Sequence, residues 1–282
     1  MDKARSINAQ SFAASNTVLY GIPSPVDLES PCSWLTRAAL SQGTSPRELA
    51  KLFGIKQRSL DLDISLTKGT IRRIASTCAI NPLLFDFGRH MFTGLQSFDP
   101  KGKEFLMFDG ANPKYRYCPV CLRAQSIKHF PVHWRFKSWR FCPLHSCMME
   151  DFCRHCGLCV RLPGHLMKAG PQETGIAFLN QCLGCGDFLD SHWHEVNRIL
   201  KKVVLDSQEV LSMKMGRSVL SAVYHRNISW PDLNYGFNMN LLKEFAKTGI
   251  VPHEQFLLDA SEIERRLKRQ MSSRLNVKNS DL

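Results

Sequence analysis

Between residues 30 and 80 the apolar positions recur every three or four residues in three short runs, the spacing that gathers them on one face of a helix. Ser30-Pro31 opens the first. Serine suits the cap and proline the first helical position, where no N–H is needed; Trp34, Leu35, Ala38 and Ala39 then form the apolar stripe, and Gly43 closes it. Ser45-Pro46-Arg47-Glu48 is a capping box followed by Leu49, Leu52 and Phe53 as far as Gly54. A third run starts at about Thr70, carries Ile71, Ile74 and Ala75, and stops at Asn81-Pro82, because the residue before a proline is pushed out of the helical region. Three short helices with tight turns predict a compact bundle. A helix-turn-helix has the same pattern and differs in which face stays exposed.

Helical signals return after Ser191. Asp206-Ser207-Gln208-Glu209 is a capping box with Gly216 as the expected stop, and Asn240 is the expected cap before Leu241-Leu242-Lys243-Glu244-Phe245. Ser261-Glu262-Ile263-Glu264 forms another box and leads into Arg265, Arg266, Lys268 and Arg269, a basic helix whose ordinary role is a solvated face. Residues 1–26 are polar and irregular, ending in Ile22-Pro23-Ser24-Pro25, and read as an arm, either a flexible tail or a docking segment. Residues 98–113, rich in Gly, Pro, Asp and Lys, read as a boundary. The division that follows is an arm over 1–26, a helical N-terminal domain over 27–110, a distinct middle over 111–190 and a helical C-terminal domain over 191–282. No P-loop, glycine-rich phosphate cradle or internal repeat is present, which argues against nucleotide hydrolysis by this chain.

The middle carries four close pairs of soft ligands: Cys118-x2-Cys121, Cys142-x2-His145, Cys153-x2-Cys156 and Cys182-x2-Cys185. Two intervening residues let both side chains of a pair reach one ion, and a tetrahedral zinc site needs two such pairs. The pattern therefore predicts two structural Zn²⁺ ions and a mainly α fold with two small zinc-binding modules, ribbon-like or knuckle-like, in the middle. Sequential pairing is the simplest arrangement; interleaved pairing uses the same residues. Cys32 and Cys78 read as small core residues, while Cys147 and Cys159 sit near the knuckles as the nearest competitors for a place among the ligands.

Other uses of these residues fit less well. The chain opens Met1-Asp2-Lys3-Ala4-Arg5 with no apolar leader, so the 11 cysteines are not expected to meet an oxidising compartment. A thioredoxin-like motif needs one Cys-x2-Cys in a βαβ pattern. Four protein ligands per ion leave no position for water, which points to scaffolding and away from an enzyme. His-Glu-x2-His is absent, and Tyr117 stands where a deaminase would have proline before Cys118. A nuclease built on His129, His133 and His145 lacks a nearby carboxylate, since no Asp or Glu occurs from Ala111 to Met149.

That acid-free stretch also holds Lys114, Arg116, Arg123, Lys128, Arg135, Lys137 and Arg140, interleaved with Tyr115, Tyr117, Phe130, Trp134, Phe136 and Trp139. The aromatics read as the miniature core of a zinc module and the cations as contacts to DNA phosphates. A net charge of +12 fits a polyanionic partner, and no apolar run approaches a membrane span.

Taken together, Ser33-Trp34-Leu35-x-Arg37 with Gly43, Asp61-Leu62-Asp63, Tyr117-Cys118-Pro119-x-Cys121-Leu122, Trp134, Cys142-x2-His145 and Cys153-x2-Cys156 resemble the TniQ/TnsD family of bacterial transposon target-selection proteins. The resemblance spans about residues 29 to 185. It implies a helical N-terminal part that docks partners, joined to paired zinc modules held by Cys118, Cys121, Cys142, His145, Cys153, Cys156, Cys182 and Cys185. It further implies an adaptor that marks an insertion site on double-stranded DNA, alone or through a guide-RNA effector complex. Such an adaptor passes that choice to an AAA+ ATPase, which recruits the transposase. A cytoplasmic, nucleoid-associated protein follows, with a homodimer as one possible assembly. Members that read a fixed site unaided tend to have a longer C-terminal half, whereas this chain ends about a hundred residues past Cys185, so reliance on another factor is expected. The competing reading is a stand-alone zinc-containing transcription regulator that reads DNA with residues 30–80.

Overall fold

Trp34 is fully buried at the centre of the helical half, stacked 6.0 Å from Phe53 and edge-on to Phe85 at 4.8 Å, with its indole N–H donating to Pro23 O at 2.8 Å. The structure is a computed structural model that describes residues 18–55, 60–166, 178–200, 205–230 and 233–248. Helix α1 (Pro31–Ser41) starts at Ser30, whose side chain accepts from Ser33 N, and α2 (Pro46–Leu52) starts at the Ser45/Glu48 box. Gly43 and Gly54 follow with φ of +60° and +64°, the left-handed region that favours glycine. Short α3 (Leu62–Ser65) and α4 (Lys68–Cys78) come next, α4 beginning at Thr67, slightly upstream of the expected start. A 3-10 turn over Pro82–Phe85 leads into α5 (Asp86–Gln96).

Among the remaining described residues, helices alternate with loops pinned by small antiparallel hairpins. These are β1 (Phe108–Asp109) with β2 (Asn112–Pro113), β3 (Phe141–Cys142) with β4 (Cys147–Met148), and β5 (Ile228–Trp230) with β6 (Leu233–Phe237). Between them lie α6 (Pro119–Ala124), a 3-10 turn over Val132–Arg135, α7 (Trp193–Leu200) and α8 (Ser207–His225), with α9 (Leu242–Thr248) last. The described residues are mainly helical, and no helix among them is long and apolar enough to cross a membrane.

Several expectations need correction. Residues 18–26 are docked on the helices: Leu19 N donates to Thr77 O, Gln42 Nε2 to Tyr20 O, and Pro25 is buried. The segment 98–113 contributes Phe105, Leu106 and Met107 to the interior. Gly216 does not stop its helix, because α8 runs from the Asp206 box through to His225. A Cβ at Gly216 would stand 2.8 Å from Ser138 O, so glycine there lets the helix lie against the stretch before β3. The cap near the last helix is Asn238, not Asn240; its side chain accepts from Asn240 N. The Ser261 box, its basic continuation and residues 1–17 lie outside the described residues.

Helix α5 was not foreshadowed by the pattern. It packs on α8, where His90 Nε2 donates to Tyr224 O at 2.7 Å and Gly94 brings its backbone against Val223 O. Helix α8 therefore leans on both the helical half and the hairpin region.

Candidate metal centres and surrounding cations

Cys118 caps α6. Its sulfur accepts from Cys121 N, and Pro119 occupies the first helical position, so the short helix points Cys118 and Cys121 the same way. The β3–β4 hairpin supplies the facing pair, Cys142 at the end of one strand and His145 in the turn. Cys121 Sγ lies 3.5 Å from Cys142 Sγ and 3.2 Å from His145 Nδ1; Cys118 Sγ and Cys142 Sγ are each 3.5 Å from that nitrogen. All four donor atoms fall within 4.8 Å of one another.

The second cluster uses two matching turns. Gly157 N donates to Cys153 O at 2.8 Å and Gly186 N to Cys182 O at 3.0 Å, and both glycines have positive φ, +74° and +80°. Each turn folds its Cys-x2-Cys so that two sulfurs face inward, giving Cys153–Cys185 at 3.7 Å and Cys156–Cys182 at 3.5 Å. Sulfurs so spaced are far from the ~2.05 Å of a disulfide. They fit the edge of a tetrahedron whose metal–sulfur bonds are about 2.3 Å, an edge of roughly 3.8 Å. Both donor sets thus fit a soft divalent ion and can hold one each. The residues come together in chain order, and Cys159 is set apart, bridged through its backbone to Phe152. The glycine after each second cysteine was a sequence signal left unread.

The seven cations do not form one face. Arg135 is the clearest departure: its side chain is fully buried, with Nη2 2.6 Å from Asp61 Oδ2 and Nη1 2.7 Å from Asp63 Oδ2, so it cannot meet DNA. Lys128 Nζ donates to the carbonyls of Leu122, Arg123 and Gln125 at 2.8 to 2.9 Å, closing the C-terminus of α6. Lys114 bridges Asp151 at 2.8 Å, and Arg116 Nη1 donates to Lys137 O at 2.7 Å. Arg123, Lys137 and Arg140 are exposed; Arg123 lies 6.0 Å from the Trp193 ring centre, and Lys137 Nζ donates to Lys103 O. Of the interleaved aromatics, Tyr115, Tyr117, Phe130, Trp134, Phe136 and Trp139 are all buried.

Around Arg135 is a closed polar core. Tyr115 O–H donates to Asp63 and shares a hydrogen bond with Ser30, while Cys32 N donates to Asp63 Oδ1. Burial pushes the Asp63 carboxyl up, against the pull of the Arg135 guanidinium; burial and the Asp63 charge raise the Tyr115 phenol well above its ordinary range. Burial alone would pull Arg135 down, but the Asp61 hydrogen bonds and both carboxylate charges keep it cationic. Cys32, Asp61 and Asp63 are close enough for a metal, yet the guanidinium already pairs with both carboxylates. The three nuclease histidines form no shared metal group among the described residues: His129 Nδ1 donates to Ile127 O, His133 is buried, and His145 belongs to the first cluster.

The described residues are thus mainly helical, and the middle of the chain gathers two cysteine-rich clusters able to hold metal ions. The TniQ family model matches residues 21–149, so this part of the chain is similar to the TniQ domain, which points to a role in target selection associated with transposition. No curated protein matches the chain. The matched span ends just after β4, so it includes the first cluster and stops short of the second.

Proposed function

We propose that this protein is a target-site selection adaptor in DNA transposition, a zinc-stabilised DNA-binding protein that recruits an AAA+ ATPase and, through it, the transposase. The observation that carries the reading is the TniQ domain over residues 21–149, which ends on a compact cluster of three thiols and an imidazole. Cys118, Cys121, Cys142 and His145 would hold one Zn²⁺ and Cys153, Cys156, Cys182 and Cys185 the other. A bound ion supplies cross-linking of distant turns; with four protein donors apiece, neither centre offers an open position for catalysis.

The chain's own residues do the rest. The buried Arg135 pairs the middle of the chain to Asp61 and Asp63 of the helical half and so ties the two together. Arg123, Lys137 and Arg140, the exposed members of the seven, meet DNA phosphates without reading bases. The helical N-terminal part is left to recruit the ATPase, and the choice of site comes from another factor, such as a guide-RNA complex.

Two measurements test this. Binding to a random-sequence duplex should weaken steeply between 50 and 200 mM salt, with a log–log slope near −3 if about three phosphates are neutralised; a flat response overturns the DNA platform. The cognate AAA+ ATPase should co-purify with the protein, and failure to do so overturns the adaptor role.

A further inference from the structure

The first cluster holds one more donor than a tetrahedral ion can use. Cys142 and Cys147 are direct partners across the β3–β4 ladder. Side chains of opposed residues project from the same face, so the register that presents Cys142 to the cluster presents Cys147 as well. Cys147 Sγ lies 3.5 Å from Cys118 Sγ, as close as the Cys118 sulfur is to His145 Nδ1, and within hydrogen-bonding reach of Cys142. It is 7% exposed and faces inward. The tightest set of four is nevertheless Cys118, Cys121, Cys142 and His145. Cys147 therefore stands just outside the Cys118–Cys142 edge of the tetrahedron, two residues along the same turn from the imidazole it would replace.

We propose that Cys147 is an exchange ligand of this centre: Cys118, Cys121 and Cys142 are closed by either His145 or Cys147. The inference rests on the zinc reading above. The first state has three thiolates and an imidazole, the second four thiolates. Passing from one to the other, the Cys147 sulfur forms the bond to the metal and its S–H proton goes to solvent, while His145 departs as a neutral imidazole. The net charge of the centre falls by one. Only the turn over residues 143–146 has to move, because Cys147 already lies beside two of the three fixed sulfurs. His145 is half-buried and has solvent to move into.

The test uses the full chain with single substitutions, metal content, and cadmium-113 NMR, in which each centre gives its own resonance and moves downfield with every added thiolate. His145→Ala should keep two metal ions per chain, with the first centre shifted to the all-thiolate position of the second. Cys147→Ser should also keep two, at the three-thiolate position, and the double variant should fall to one. The wild-type resonance should be displaced or exchange-broadened relative to Cys147→Ser. Loss of one metal ion from a folded His145→Ala protein, or from Cys147→Ser, overturns the exchange. If His145→Ala does not fold, wild type against Cys147→Ser decides: coincident position and width mean that Cys147 never ligates. Wild-type protein that binds no metal defeats the zinc reading itself, a result separable from all of these.

Discussion

Arg135 and Asp61, 74 residues apart in the chain, meet inside the protein with Nη2 2.6 Å from Oδ2 and side chains 0% and 4% exposed. The contact joins the loop before α3 to the turn leading toward β3, and Asp63 makes it a triad. Two carboxylates and one guanidinium leave an excess negative charge, which Tyr115, Ser30 and the Cys32 amide share through hydrogen bonds.

Replacing Arg135 with methionine should therefore be severe. It leaves two buried carboxylates facing each other, and breaking a buried ion pair from one side costs about 3 to 5 kcal/mol. Urea unfolding should show that loss, and Arg135→Lys should fall between, since an ammonium cannot serve both carboxylates with the same fork. A loss under about 1 kcal/mol would mean the triad is not holding the two regions together.

Stability should also fall on mild acidification because of His133. Burial, with a smaller contribution from His129, pulls its pKa down to about 3, against about 6.5 in the unfolded chain. Between these values the unfolded state binds the extra proton, so stability is intact above about pH 6.5 and declines as pH drops toward 3. From pH 7 to 5 the decline from this residue is roughly 2 kcal/mol. Protonation of metal ligands adds to it, so the diagnostic is the difference between wild type and His133→Asn, whose unfolding midpoint should be less sensitive to pH over that range.

Gly216→Ala should invert the usual helix rule. Alanine normally favours a helix interior by about 1 kcal/mol over glycine. Here the added methyl meets Ser138 O at 2.8 Å and Trp139 at 3.3 Å. Thermal denaturation should show net destabilisation of about 1 to 3 kcal/mol from the forced separation. An unchanged or raised melting temperature would mean α8 does not sit against this stretch.

Metal removal should act regionally. Cys156→Ser should reduce zinc from two ions to one, detected by atomic emission, and leave the Trp34 core folded by near-ultraviolet dichroism. Cys118→Ser should do more harm, because that cluster is wrapped in the same interior as Tyr115, Tyr117 and Trp134. Full binding energy at a structural zinc site is of order 10 kcal/mol in small peptides, so chelation of both ions should unfold the middle of the chain.

What could be read in the chain alone followed local chemistry. The boxes at Ser45 and Asp206, and the proline after Ser30, lie within a few residues of the groups they satisfy, and the helices start where they indicate. The clustered cysteines and histidine were legible because each pair is only three positions apart. Burial was not. A charge on Arg135 looks the same in sequence whether it faces water or Asp61, and only the fold decides. Helix α5 was hidden by Gly88 and Gly94, poor helix formers retained because Pro31 and Val223 approach their backbones. Spacing marked both Cys147 and Cys159 as competitors for a place among the ligands; the β3–β4 register, which spacing does not disclose, is what separates them by setting Cys147 opposite Cys142.

Helix α8 carries a practical lesson about where the protein can be cut. It reaches back to Gly94 at one point and Ser138 at another, both inside the matched span 21–149, though it begins 58 residues beyond that span's end. A fragment trimmed to the recognisable domain would lose the plug from two sockets at once, baring apolar surface that Val219, Leu220 and Val223 now cover. The span outlined by the family model is smaller than the packed interior to which its own residues contribute.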